Sequence, residues 1–488
     1  MRLKILNNLT RIILRMLGYG FLGSVILGLI IYISILDSRP DLSVWHHADL
    51  DEEFTIESNI SSFSEYLELE NRLFAQLDEL VYAVVPQENS NAINRYSTGT
   101  QSDPGRWPVN WNRSFELRNE EPAAGILLLH GLSDSPYSMR AMGERLQNAG
   151  AWVLGLRIPG HGTAPSGLVE ARWQDMAAAV RLAANYVQDT VGDRPFYIIG
   201  YSNGGALAVE YTLSALQETS LPRPSGVVLL SPQIGVSKIA ALAVWQARLG
   251  HLLGLETLAW ESVRPEYDPF KYGSFPVNAG DLAHRITKHI QKQLTEMQGT
   301  GKLEKMPPIL AFQSSVDATV TPQALVENLF ARLPPTTHEL VLFDINREIG
   351  VDQIIRHDPV TVFGPLLHRS KRGFDLTVVT NESKGSHRIV ALRSEHGKEG
   401  SSTSAYLSEW PAGIFSLSHV ALPFPPEDPV YGGPSAIESP GIHLGNLNLR
   451  GERGVLRVSG TDLMRLRWNP FFDYMHSRTL KFMHLEEQ

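Results

Sequence analysis

The residues with the clearest chemical potential are Gly200-Tyr201-Ser202-Asn203-Gly204, a G-x-S-x-G spacing between an apolar run at 196–200 and a helical pattern at 204–217. At a tight strand-to-helix turn the serine backbone is strained, its neighbours must be small, and its hydroxyl stands out above a sheet. The helix that begins there points its first N–H groups at a developing oxyanion. A glycine-rich turn with an incidental serine is the plain alternative, and the strand-turn-helix setting argues against it. A serine hydroxyl is a weak nucleophile until a base takes its proton, and a carboxylate must orient that base. With the serine on such a turn, the chain order is Ser, acid, His. Asp317 is the expected acid, because it follows a buried-strand pattern at 308–312 and precedes a helical one at 323–333. That puts it at a strand's carboxyl end, on the edge that carries Ser202. Asp344, Asp352 and Asp358 are weaker alternatives.

Nine histidines follow Asp317. His419 is the expected base: it comes after 413–418, a run able to form or extend the last strand, and before the turn-rich Pro423-Phe424-Pro425-Pro426. His443 is second in line, and His357, His368, His387 and His396 are read as solvent-facing. The oxyanion hole is expected from two backbone N–H groups, those of Leu132 and Asn203. Leu132 belongs to His130-Gly131-Leu132 at the end of the first clear apolar run. His130 precedes the nucleophile and is read as a hydrogen-bonding residue that shapes this loop.

These residues need a scaffold. Short apolar runs at 126–130, 152–156, 196–200, 227–230 and 309–312 read as buried strands, with helical patterns at 138–148, 173–191 and 204–217 between the first four. Alternation of this kind predicts a parallel sheet covered on both faces, an α/β doubly wound architecture. Two stretches interrupt it: 235–306, read as a mostly helical lid, and 345–412, read as an insertion with strand-like runs at 374–380 and 388–392. A final helix is expected at 470–483. Upstream, Ser62 and Glu65 have capping-box spacing before an amphipathic pattern that runs to about residue 85, expected to pack on the following domain.

Residues 16–36 carry no charge. As a helix this run covers roughly 30 Å, the thickness of a hydrocarbon core, so an uncleaved transmembrane helix is expected. Arg2, Lys4, Arg11 and Arg15 precede it, whereas six acids and one arginine occupy 37–53. This asymmetry predicts a cytoplasmic N-terminus and a catalytic body outside, periplasmic on a bacterial inner membrane. The expected division is therefore 1–36 as tail and membrane helix, 37–112 as spacer, and 113–488 as the catalytic domain. Gly18, Gly20 and Gly23 lie inside the apolar run, so their G-x-G-x-x-G string lacks the strand a dinucleotide site needs.

Composition removes several classes. Lys+Arg 43 against Asp+Glu 52 gives a net charge of −9, so no basic field exists for nucleic acid, and Cys 0 excludes disulfides and thiolate chemistry. No metal or other cofactor is expected, since His338-Glu339 lacks the second histidine of a zinc helix, Leu342 standing in its place. Asn59, Asn112 and Asn381 match the glycosylation sequon. Nothing in the residues specifies an oligomeric state.

With these motifs in place the chain resembles the α/β-hydrolase superfamily, in its monoacylglycerol-lipase-like and serine-aminopeptidase-like branch. The resemblance rests on His130-Gly131-Leu132, Pro159-Gly160-His161-Gly162-Thr163, Gly200-Tyr201-Ser202-Asn203-Gly204-Gly205 and Asp317, with His419 matching by position, and it covers about 116–344. It implies an α/β-hydrolase fold with the lid at 235–306, and hydrolysis of a small-molecule acyl ester or lipid through an acyl-serine. Peptide or amide cleavage, acyl transfer and a catalytically silent anchored binding module are the alternatives. One departure is plain: Asp317 and His419 stand about 100 residues apart, where that family has a few tens.

Overall fold

The apolar runs become strands because every side chain on them is covered. The computed structural model describes residues 2–37, 40–235, 256–335, 337–348, 355, 358–359, 361, 372–398, 400–404, 406–445, 447 and 459–486. The central sheet contains β1 (Phe115–Leu117), β2 (Gly125–Leu129), β3 (Trp152–Leu156), β4 (Phe196–Tyr201), β5 (Gly226–Leu230), β6 (Ile309–Ser314), β7 (Glu339–Phe343), β8 (Asp375–Asn381) and β9 (Arg388–Ser394). Two short strands at its far edge, β10 (Ser402–Thr403) and β11 (Ser408–Glu409), both pair with β9. The order is β1-β3-β2-β4-β5-β6-β7-β8-β9, parallel from β3 to β8 and closed at each side by an antiparallel strand.

Alternate residues feed two cores, the period-2 signature of a sheet covered on both faces. Leu127, Leu129, Leu154, Ile198, Leu229 and Ala311 pack with α4 (Trp173–Val191), α5 (Asn203–Ala215) and α6 (Val277–Met297). Ile126, Leu128, Val153, Ile199, Leu230 and Phe312 pack on the opposite face with α3 (Tyr137–Asn148) and the final helix α8 (Phe472–Met483). Between them in chain order lies α7 (Pro322–Asn328), capped by the Thr321 hydroxyl.

Two features differ from the sequence reading. The run 413–418 forms no strand; its place beside β7 is taken by β8, which pairs in parallel with it (Leu376 opposite Leu340, Val378 opposite Leu342). Part of 345–412 is thus an extension of the main sheet, and the β8–β9 hairpin accounts for the long chain between Asp317 and His419. The strand β7 was not expected at all, its apolar residues following the polar His338-Glu339 pair. Within 37–112 the amphipathic pattern packs on the sheet domain, as its apolar face leads one to expect. Helix α2 (Phe63–Leu77) starts with the Ser62/Glu65 capping box and contributes Phe63, Tyr66 and Leu69 to the main core. Of the three sequon asparagines, Asn112 and Asn381 are buried and Asn59 is exposed.

Helix α1 (Arg2–Asp37) contains the whole 16–36 run. Among the described residues no helix is long and apolar enough to cross a membrane. The side chains of residues 2–11, 29 and 32–37 lie outside the described ones. Those that are described, including Leu17, Phe21, Leu27 and Ile30, are exposed. The lid reading falls in part on 236–255, which also lies outside the described residues; its described remainder is a short ribbon (Trp260–Ser262 with Phe275–Pro276) and α6.

Candidate active site

Strand β4 delivers Ser202 onto a turn with φ +52°, in the left-handed region that L-residues seldom adopt. Two glycines make this turn possible. A Cβ on Gly204 would lie 2.2 Å from the Leu129 carbonyl oxygen, and one on Gly200 would lie 2.3 Å from that of Gly204. Both contacts are with backbone, which cannot step aside. The Ser202 amide donates to the Leu230 carbonyl (2.9 Å), and α5 begins at the next residue.

Asp317 follows β6, and its carboxylate is held from four directions. One oxygen accepts the amides of Thr319 (2.8 Å) and Val320 (2.9 Å), and the other accepts Gln313 Nε2 (2.9 Å) and faces His419 Nδ1 (2.8 Å). Burial by itself raises this carboxyl's pKa. The hydrogen bond and charge of His419, with the two amides, outweigh burial and bring it below its ordinary value. His419 Nε2 in turn lies 3.1 Å from Ser202 Oγ. Since the carboxylate can only accept, Nδ1 carries a proton and Nε2 is free to accept from the serine.

The histidine is delivered by a loop, not by a strand end. It opens a single 3₁₀ turn, His419–Ala421. The approach to it is pinned by Ser314 Oγ donating to the Leu417 carbonyl (2.7 Å) and by Asn346, whose amide donates to Phe415 (2.7 Å) and whose side chain donates to Ile414 (3.0 Å). Sequence reading missed Gln313, Ser314 and Asn346 as supporting residues. A signal was present for the first two, as polar side chains ending the otherwise apolar strand β6.

On the other side of Ser202, His130-Gly131-Leu132 leaves β2. His130 Nδ1 donates to the Gly131 carbonyl (2.9 Å), and Nε2 accepts the Ile158 amide (3.0 Å). Burial, with His161 nearby, holds the His130 pKa well below the ordinary histidine value, so the ring is neutral and structural. The His161 ring meets it edge-on at 4.9 Å. Among the described residues the amides of Leu132 and Asn203 have no acceptor. A side chain at Gly131 would force a neighbour to shift, because its Cβ would lie 2.5 Å from Asp134 Oδ2 and 2.9 Å from the Tyr201 ring.

The remaining candidates are engaged elsewhere. Asp344 is paired with Arg347 and Thr380, and Asp358 with Arg347. His387 sits beside Glu348, and His396 near the Arg372 carbonyl. His443 lies in a loop tied to Gln101 through the Ile442 amide. His357, His368 and Asp352 lie outside the described residues. Among the described residues no group of three or more acidic or histidine side chains is arranged to hold a metal ion, and His338 Nδ1 accepts the Ile309 amide.

The strand order and the serine turn define an α/β-hydrolase-type fold. Within that class, a family model described as serine aminopeptidase, S33, matches residues 120–346. This segment includes Ser202 and Asp317 and ends before His419. The thermostable monoacylglycerol lipase of Bacillus sp. (strain H-257) is 24% identical over 223 residues, 46% of this chain and 81% of that protein. Among solved structures, the monoacylglycerol lipase of Paleococcus ferrophilus is 18% identical with a TM-score of 0.36, covering 47% of this chain and 87% of that one. A soluble variant of the monoglyceride lipase of Saccharomyces cerevisiae is 17% identical with a TM-score of 0.35, covering 47% and 81%.

Proposed function

We propose that the chain is a membrane-anchored serine hydrolase that cleaves carboxylic esters through an acyl-Ser202 intermediate. The observation that carries this reading is the continuous chain Asp317–His419–Ser202, with contacts of 2.8 and 3.1 Å. In the reaction His419 Nε2 takes the Ser202 proton as Oγ attacks the ester carbonyl. The amides of Leu132 and Asn203 receive the oxyanion. His419 then gives the proton to the departing alcohol, and a water activated by the same nitrogen hydrolyses the acyl-serine. Asp317 keeps the ring in the required tautomer and stabilises it when charged. Ester rather than peptide cleavage is favoured by the relationship to a monoacylglycerol lipase. The 235–306 stretch is assigned the role of a lid.

Anchoring through 16–36 is supported by the 21-residue uncharged run and by the exposure of the apolar side chains described on α1. The charge asymmetry around it supports an outward-facing, periplasmic body. The test is labelling with a fluorophosphonate probe. The full-length chain should react, and Ser202→Ala should abolish both labelling and ester hydrolysis while the protein remains folded. Full labelling of the alanine variant would overturn the nucleophile. Digestion of the body by protease added to spheroplasts tests the topology; a protected body would reverse it.

A further inference from the structure

A cavity of about 140 Å³ lies between the oxyanion loop and the turn that carries His419. Its walls include Asp134 on one side and Val420, the residue after His419, on the other. Asp134 belongs to the oxyanion loop, its carboxylate filling the space where a Gly131 side chain would be, and the Tyr272 amide ties the same loop at Ser133 (2.9 Å). Four cations and three carboxylates face the cavity. Lys271 is matched with Asp134 (2.6 Å) and Arg264 with Asp462 (2.9 Å). Asp268 accepts the Tyr431 hydroxyl (2.6 Å) and the Phe270 amide (3.0 Å). Four cations against three carboxylates leave one positive charge in excess. Arg467 donates to the Tyr267 hydroxyl at 3.4 Å and lies in the field of Asp268, whereas Arg465 has no hydrogen-bond or ion-pair partner among the described residues.

We propose that Arg465 and Arg467 form a subsite for an anionic group, phosphate or carboxylate, on the alcohol portion of the ester. This rests on the Ser202 reading. The leaving oxygen must come within reach of His419 Nε2 to receive its proton, so the alcohol occupies the His419 side of the site, and Val420, the next residue, lines this cavity. Guanidinium groups with free N–H donors match the oxygens of a carboxylate or phosphate in paired, charge-assisted hydrogen bonds. A neutral alcohol would leave those donors unfilled, and an apolar acyl chain would desolvate them. The preferred substrate is therefore an acyl ester of an anionic alcohol, and the acyl chain goes elsewhere.

The experiment measures the rate at which a fluorophosphonate labels full-length protein in detergent, in the presence of glycerol 3-phosphate, glycerate or glycerol. Either anion should protect Ser202 at lower concentration than glycerol, and the stronger of the two identifies the group. Arg465→Gln should raise the protecting concentration on the order of tenfold or more, as expected for a lost charged hydrogen bond, and Arg465→Lys by less. The ratio of kcat/KM for an acylglycerol phosphate over the matching acylglycerol should fall in step. The Tm of Arg465→Gln without added ligand, set beside that of the wild type, shows that the variant is folded. Anions that protect no better than glycerol, or a ratio unchanged in Arg465→Gln, would overturn the subsite. Absence of wild-type labelling would instead remove the Ser202 reading. The subsite then stands or falls on whether glycerol 3-phosphate raises the Tm of the wild type and not of Arg465→Gln.

Discussion

Ser202, His419 and Asp317 arrive from three separate connections, and each is fixed by a different device. The serine is set by a strained turn, the aspartate by two amides and Gln313, and the histidine by the carboxylate it faces and by a loop hung on Ser314 and Asn346. His419→Ala should therefore lose on the order of 10⁴-fold or more in turnover, since neither remaining partner can move the proton. His443→Ala should keep most of its activity, because that loop makes no contact with Ser202 or Asp317 among the described residues. Steady-state hydrolysis of a short-chain ester separates the two, and an inactive His443→Ala beside an active His419→Ala would transfer the role. Gly131→Ala gives a second test at this scale. Its new methyl must displace Asp134 or the Tyr201 ring, which shifts the Leu132 amide. The cost should appear in kcat by about 10²-fold, the scale of losing one oxyanion donor, with less change in KM.

At the level of elements, the 44–112 segment is stitched to the central sheet next to Ile158, whose amide donates to His130. Arg157, at the end of β3, is fully buried and bonds Glu53 with both terminal nitrogens (3.0 and 2.9 Å) and Glu70 through Nε (3.1 Å). Glu53 also accepts the Gly160 amide, and the Tyr66 hydroxyl donates to the Arg157 carbonyl. Removing the cation strands two carboxylates in a low-dielectric setting. Arg157→Met should thus destabilise the fold by about 3–5 kcal/mol, read from urea unfolding of the detergent-solubilised chain. A loss below about 1 kcal/mol would show that solvent reaches the cluster. These bonds fasten residues 53–70 to the loop at 158–163.

Over the whole molecule, buried histidines set the response to acid. Burial holds His161 and His338 down to about 4, from an ordinary value of 6.5, and also holds His130 well below that ordinary value. The unfolded chain binds protons on these rings below pH 6.5, whereas the folded chain does not until about pH 4. Stability is therefore complete above 6.5 and falls as the pH drops toward 4, by about 3 kcal/mol per histidine at the lower end. Asp317, held below its ordinary carboxyl value, adds a loss in the same direction at still lower pH. Tm measured from pH 7.5 to 4.5 should decline steadily, and His161→Gln should flatten the slope. A Tm independent of pH over this range would mean these rings are hydrated in the native state.

Much of this was legible in the residues because it is local. The G-x-S-x-G turn, the alternation of short apolar runs with helical periods, the Ser62 capping box and the acid after β6 each depend on neighbours within a few positions. What needed the tertiary structure was pairing between distant segments. Phe374 and the residues after it read as an isolated insertion, yet the open edge of β7 requires a partner, and its backbone N–H and C=O groups find one in β8. The run 413–418 has strand-like residues, but β8 occupies the edge of β7, and the run is instead the loop that hangs His419 on Ser314 and Asn346. The chain favoured His419 among nine histidines by placement alone, and the structure sets it 2.8 Å from Asp317. A side chain's partner across 102 residues depends on how the intervening hairpin packs, and no periodicity near the histidine encodes that.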